Sequence, residues 1–567
     1  MTAPTKKPTI LLVALSLALG CTGTISQTPD DDIPPVIPPG GDSSLPPAPG
    51  QEFVCVPDLP TTGPLIRRLT REEYLSGTLR ITGVDIRSQA EGVLRPDPTS
   101  SSGFSNFATA LNVQTEHARA YMELAEFAVA NLPDSGAFID RYTDCRDVGC
   151  FAGYVDALTA DAFGTTATAE EHAAIDTLYD NALERGDGFD EAALDAVEVV
   201  LQSPRFLYHF EADLGDGTPR DLEPGELARR IAFLVSGQPA DAILQQAAFD
   251  GELSTSQQIT AQVDRLFETS GAVVAGHRYI GDWLELTSLS SQVRNAEHHP
   301  TWSPAIGAAM EAETLGLFDE LTWARNAPFM SIFDADFTIA TAELAEFYGL
   351  SAPDENGVVD LSDVPERGGL LTQGSVLALS GGAEASTVLR GLTLSAQMSC
   401  GAKIPEPPAG ISLDQPPPSP GQSKRDYSEA RVNNPECTVC HSSFEPMIWG
   451  LIRYDAVGLY AEEDSAGNFI PEDGFIRFVN GVQASYGSPQ ELGQVMAESA
   501  RVEECMVLNI ASYAVGRTMQ RGDACSLEQI RDGFRDSDQT YRDLVVQVAI
   551  SPMFRSVSTE PAEGVAP

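Results

Sequence analysis

The sequence predicts a mainly α protein: several packed helical subdomains, with a small β-hairpin after a cysteine motif near residue 440. Three observations support this. Apolar residues recur at three- and four-residue spacing through most of the chain beyond residue 58. No series of alternating strands with turn signals recurs, which argues against an α/β sheet. The 567 residues also exceed what one hydrophobic core ordinarily holds.

Taken in order, helical periodicity is predicted for Leu69 to Ile81, Glu116 to Asn131, Glu170 to Leu183 and Glu191 to Gln202. It continues in Pro224 to Val235, Gln257 to Glu268 and Ala305 to Trp323. Thr70 before Arg71-Glu72-Glu73 reads as an N-cap, and Pro224 as a first helical residue. Between Asn468 and Ala484, the run Phe475-Ile476-Arg477-Phe478-Val479 followed by Asn480-Gly481 predicts the hairpin. Loops near Pro133 to Gly136, Gly215 to Pro219, Pro353 to Gly357 and Pro405 to Lys424 mark candidate boundaries. The expected spans are a signal peptide (1–21), a disordered tether (22–58), helical domains at 59–135, 136–202 and 203–352, a cytochrome-c-like domain (353–484), a C-terminal helical domain (485–557) and a disordered tail (558–567).

The N-terminus predicts the compartment. Lys6 and Lys7 precede an apolar run, Ile10 to Leu19, that is too short to span a bilayer but suits a signal sequence. Its end, Leu17-Ala18-Leu19-Gly20-Cys21, resembles a bacterial lipoprotein cleavage site, where the Cys21 thiol would be acylated. An ordinary signal peptide cleaved nearby is the alternative. The Pro-, Gly- and Asp-rich stretch from Thr22 to Gly50 reads as a tether reaching roughly 90 Å at about 3 Å per residue. The expectation is an exported protein anchored to the membrane through Cys21, in the periplasm or at the outer membrane, with no transmembrane helix in the mature chain.

Cysteine usage agrees with an oxidising compartment. Apart from Cys21 and the pair Cys437/Cys440, six remain. Proximity suggests Cys145–Cys150 and Cys505–Cys525, and elimination leaves Cys55–Cys400. Charge is lopsided: 35 Lys+Arg against 82 Asp+Glu give −47, which argues against nucleic acid as a partner. The acidic residues are scattered as on a solvated surface, which would repel anionic macromolecules and steer a basic redox partner protein.

Cys437-Thr438-Val439-Cys440-His441 is the c-type haem attachment signature. The two thiols would each form a thioether, and His441 would lie under the iron as proximal ligand. A chance match is expected in roughly two of a thousand such chains, because the sequence has only 9 Cys and 7 His. A disulfide at the thiol pair is the alternative. For the sixth position Met447 is too near in sequence, Met496 leaves the chain room to wrap a macrocycle, and Met506 and Met519 are further candidates. Each is equally a core methionine. Phe444, Trp449 and Tyr454 read as macrocycle-packing or core residues. His298-His299 is a weak metal pair, His209 and His277 read as partly buried helix residues, and no second ligand pair would make a zinc site.

Several segments together resemble the exported multidomain proteins of planctomycetes and myxobacteria built from domains of unknown function (1587, 1595, 1592, 1588, 1585) with a cytochrome-c-like motif. They are Arg67-Arg68-Leu69-Thr70-Arg71-Glu72-Glu73-Tyr74, Gly103-Phe104-Ser105-Asn106, and Ser203-Pro204-Arg205-Phe206-Leu207-Tyr208 with Glu226-Leu227-Ala228-Arg229-Arg230. Further along are Leu344-Ala345 with Tyr348-Gly349, Arg367 to Gln373 with Arg390-Gly391, Tyr513 to Arg517, and Ser551 to Phe554. The resemblance implies a module order and a cytochrome-like module around His441; it supplies no activity. Departures follow the motif: Glu445 stands for Asp, Ile448 for Gly, Ile452 for Glu and Ala461 for Arg, and Val235-Ser236 replaces Leu-Trp. They suggest that a charged pair around the motif is lost. Two functions remain: a lipid-anchored monohaem electron carrier holding haem c at Cys437, Cys440 and His441, or a non-catalytic envelope binding or scaffold lipoprotein in which the Cys pair is oxidised.

Overall fold

The computed structural model describes residues 53, 55, 66–100, 103–209, 211, 220–286, 289–379, 385–401, 419–477 and 483–557. The segments read as a signal sequence and as a tether to Gly50, with Cys21, lie outside the described residues, as does the tail from 558. The fold is mainly helical, with small two-stranded sheets. No helix among the described residues is long and apolar enough to cross a membrane.

Helices form where apolar periodicity and capping coincide. Thr70 accepts from Glu73 N, and the Glu73 carboxylate accepts from Thr70 N, so two open N–H groups at the start of Arg71–Thr82 are satisfied. Helices Thr115–Ala130, Ala169–Arg185, Phe189–Gln202, Pro224–Ser236 and Ser256–Phe267 lie within a few residues of their predicted bounds. The segment predicted as one helix to Trp323 divides. Pro304–Asp319 is α-helical, but Glu320–Ala324 widens into a π turn closed by Arg325 N donating to Glu320 O at 2.8 Å. The wider turn accompanies the stacking of Trp323 on Phe267, ring centres 5.6 Å apart.

Buried apolar residues gather into two large cores and a small third one. One core, mostly from the first third of the chain, takes Leu69, Tyr74, Leu124, Leu158, Val197 and Phe206. The other runs from Phe53 to Val557 and holds an aromatic cluster of Tyr279, Trp283, Phe318, Phe329 and Tyr541. Two short antiparallel pairs tie remote segments. Arg67–Arg68 pairs with Tyr208–His209, and Arg220–Asp221 pairs with Ser556–Val557. His209 is therefore a strand residue with 7% exposure and not a helical one, because the helix from Pro204 stops at Leu207. His277 does lie on a helix, 2.7 Å from Asp319. The expected hairpin forms from Gly474–Arg477 and Gln483–Tyr486; its turn lies outside the described residues.

The short-range disulfide Cys145–Cys150 is present, but the other two pairings differ from those expected: Cys55 joins Cys525 and Cys400 joins Cys505. Closeness along the chain misled, because helix Ala500–Val515 packs against Thr387–Ser399 and brings Cys505 to the end of that helix, at Cys400. Closing a loop of 105 residues is worth on the order of 5 kcal/mol through the unfolded state.

A buried polar node links the long helix Pro304–Asp319 to the segment after residue 366. Glu313 accepts from Tyr348 Oη and Thr338 Oγ1, each at 2.8 Å. The Tyr348 hydroxyl also accepts from Gly374 N at 3.0 Å, and the Arg367 guanidinium lies 3.9 Å over the Tyr348 ring. Burial, outweighing the hydrogen bonds and Arg367, pushes the Glu313 carboxyl up to about 7. The folded state therefore holds a proton that the unfolded chain releases near its usual pKa. This group's penalty is absent below that value and grows as pH rises to about 7, reaching on the order of 3 kcal/mol. Glu313→Gln is expected to flatten the fall in melting temperature between pH 5 and pH 8; equal slopes for variant and parent would show that the group does not titrate in this range.

Candidate functional site

Helix Lys424–Asn433 is closed at its start by Ser423 and Asp426 and ends at Asn434. The Asn434 carbonyl then accepts from Cys437 N at 3.0 Å and Thr438 N at 2.8 Å, turning the chain into the short helix Thr438–His441. Three-residue spacing on this turn puts the Cys437 and Cys440 thiols on neighbouring positions of one face. Both are free and partly exposed, while Val439 between them is 83% exposed. The other six described cysteines are paired. The oxidised pair weighed from the sequence is therefore not the state of this structure.

His441 points inward from the same turn. Its ring centre lies 5.3 Å from that of Phe444, and its Nδ1 meets Glu445 Oε1 in a very short contact. Glu445 is fully buried one helical turn beyond His441. Its two oxygens also accept from Arg431 Nε and Nη2, both at 2.8 Å, and from the Ser428 hydroxyl. Arg431 reaches Thr387 Oγ1 at 2.8 Å, and Trp449 Nε1 donates to Ser428 Oγ at 2.8 Å. Burial opposes ionisation of Glu445, but His441, Arg431 and Ser428 outweigh it and hold the carboxyl below its usual range. The charged pair expected to be lost is thus present, with Glu445 in the acidic role and Arg431, fourteen residues earlier, as its partner. Sequence reasoning missed this set. The available signal was the i,i+4 spacing of His441 and Glu445, together with Ser428 and Arg431 on one helix face.

The donors suit covalent attachment of a c-type haem. Two reduced thiols stand three residues apart at the surface, and the adjacent imidazole has Nδ1 engaged while Nε2 has no hydrogen bond among the described residues. A metal-ligating histidine ordinarily donates its other nitrogen to a carboxylate or carbonyl, which fixes the ring and raises its basicity. The methionines weighed for the sixth position, Met447, Met496, Met506 and Met519, are all buried in the larger core. Phe444, Trp449 and Tyr454 are committed to packing. A Cβ on Gly391 would come within 2.7 Å of the Phe444 ring, Arg425 lies 3.8 Å over Trp449, and the Tyr454 hydroxyl bonds to Glu366 O. His298 and His299 have ring centres 6.5 Å apart, and no cluster of three metal-ligating residues occurs among the described ones.

Five family models match the chain in order, all described as proteins of unknown function: DUF1587 over residues 67–132, DUF1595 over 150–211, DUF1592 over 222–350, DUF1588 over 367–464 and DUF1585 over 483–554. This is the series that the motifs resemble, and the Cys437–His441 turn falls inside the DUF1588 segment. No curated protein and no solved structure matches the chain.

Glu445→Ala would leave Arg431 with one side-chain partner and free the His441 ring. The expected cost is about 3 kcal/mol in urea unfolding, read as a lower midpoint at unchanged slope, with Glu445→Gln losing less. A midpoint unmoved by both substitutions would show that the network does not support the turn.

Proposed function

We propose that this chain, composed of the five modules of unknown function from DUF1587 to DUF1585, is an envelope electron-transfer protein that attaches one haem c at Cys437 and Cys440. The observation that carries the reading is the pair of free thiols in a chain whose other described cysteines are paired, beside an imidazole oriented by a buried carboxylate. The short name of the matched fourth module, PSCyt3, carries the same cytochrome label.

Bound there, the haem would supply a one-electron redox centre. Cys437 and Cys440 would hold it covalently, each thiol adding across a vinyl group so that sulfur bonds one carbon and the proton goes to the other. His441 would offer Nε2 to the metal. Glu445, which fixes the ring through Nδ1, would make the imidazole a stronger donor and so favour a low potential. Arg431 and Ser428 keep that carboxylate ionised in a dry setting. In the same reading, Cys21 is lipidated, the stretch from Thr22 to Gly50 reaches from the membrane, and the net charge of −47 steers a basic redox partner.

A pyridine haemochrome spectrum and a denaturing-gel haem stain of protein matured with the c-type cytochrome assembly system should show one covalent haem per chain, lost in the Cys437→Ala/Cys440→Ala double variant. A colourless wild-type protein would overturn the reading, and mapped disulfides that include Cys437 or Cys440 would indicate the scaffold lipoprotein. In the haem-loaded protein, Glu445→Gln should raise the midpoint potential by about 60 mV, a tenfold change in preference for the ferric state. An unchanged potential would remove Glu445 from that role.

A further inference from the structure

The motifs that identify the modules converge on a place far from the haem motif in sequence. Pairing of Arg67 with His209 brings the first and second modules together, and Asn106 Nδ2 donates to Tyr513 O at 2.7 Å. Arg230 Nε donates to Glu211 Oε1 at 2.8 Å and its Nη1 to Phe554 O at 2.7 Å, while Arg278 Nε donates to Tyr513 Oη at 3.0 Å. Gly516, at φ 67°, lets the last module close in; a Cβ there would stand 2.7 Å from Arg67 Cδ. Four of the five matched modules thus meet around a cavity of about 30 Å³, whose lining includes Arg67, Glu73, Asn106, His209, Glu211 and Arg230.

Among the described residues, three side-chain atoms buried in this lining have no hydrogen-bond partner: Arg230 Nη2, Asn106 Oδ1 and His209 Nε2, the last standing 3.7 Å from Glu73 Oε2. Their residues are 8%, 3% and 7% exposed. An orphaned buried polar atom is costly and rare, and three around one cavity point to an occupant. Charge says which kind. The guanidinium groups of Arg67, Arg230 and Arg278 face the carboxylates of Glu73 and Glu211. Just outside, Arg229, which donates to the carbonyls of Phe206 and Tyr208, adds a positive charge, and Asp282, bonded to Ser105, adds a negative one. Burial and Arg67 drive His209 down to about 4, so its ring is neutral. The balance is one uncompensated positive charge in a dry interior, which water alone does not answer. The volume accommodates about two water-sized groups.

We propose that the four-module junction binds a small monovalent anion, of halide or formate size, held by Arg230 Nη2 and His209 Nε2–H. One accompanying water donates to Asn106 Oδ1. The site is independent of the haem reading. Bound there, the anion is part of the fold: it neutralises the junction and couples assembly of the first three modules to docking of the fifth.

The test uses the full chain. Melting temperature is titrated with chloride, bromide and formate at constant ionic strength, with gluconate, too large for the cavity, as the reference. A saturable rise of several degrees with a small anion, flat in gluconate, is expected. Crystals grown with bromide should show an anomalous peak within hydrogen-bond reach of Arg230 Nη2 and His209 Nε2. A rise with the halides alone assigns a halide site, and a rise with formate alone a carboxylate site. Arg230→Lys, which keeps the charge but not the second donor, should raise the half-saturating concentration about tenfold. Should that variant not fold, the wild-type salt series and bromide map decide. Equal melting temperatures in every salt, with only water at the junction, would overturn the proposal.

Discussion

Glu73 is the constraint from which the N-terminal half follows. A carboxylate with 2% exposure is tolerable only if several donors answer it, and here they come from separate pieces of chain. Thr70 N reaches one oxygen at 2.8 Å as part of the helix cap, and Arg67 forks onto both at 2.9 and 3.1 Å. His209 Nε2 stands 3.7 Å away, beyond hydrogen-bond length. Arg67 can fork because its strand is pinned to Tyr208–His209, and Thr70 is touched from the other side by Arg278 at 3.4 Å. One residue thus caps the start of a helix, orients a strand and supplies charge to a junction of four modules. The electrostatics hold its carboxyl well below the usual range, although burial alone would raise it.

The interior uses arginine in a second way. Among the described residues, ten arginines and one lysine are buried, in a protein with only 35 basic residues. Several answer backbone carbonyls. Arg390 donates to Leu377, Leu451, Tyr454 and Asp455 oxygens, and Arg367 to those of Thr372 and Gly458. These carbonyls lie near the ends of short helices or in the loops between them, so they need donors that no helix or sheet provides. A planar guanidinium with five N–H groups serves several at once. Because so much positive charge is turned inward, the outer surface is more acidic than the net charge suggests.

The helices were legible because periodicity and capping act within one turn of chain, as at Thr70 and Pro224. The Cys437–His441 turn was legible because its chemistry is contiguous. What sequence could not give depends on where remote segments meet. Cys505 lies closer in sequence to Cys525 than to Cys400, yet packing of two helices brings it to the latter. His209 read as helical because the motif before it is, but the helix ends at Leu207 and cross-strand pairing takes over. Glu445 read as a departure from a pattern; its meaning needed Arg431 and Ser428, brought alongside by the turn between two helices.

The Cys55–Cys525 bond joins residues 470 positions apart, and nearly all the described fold lies between them. In the exported chain proposed above, Cys55 would arrive long before its partner is made. The bond waits until helix Ala524–Arg535, which carries Cys525, has been made, and a chain broken or stopped before it keeps a free thiol near its N-terminus. Such a thiol is what disulfide exchange enzymes and quality-control proteases encounter on unfinished products. The bridge thereby records, in a covalent bond, that the chain has been made as far as helix Ala524–Arg535.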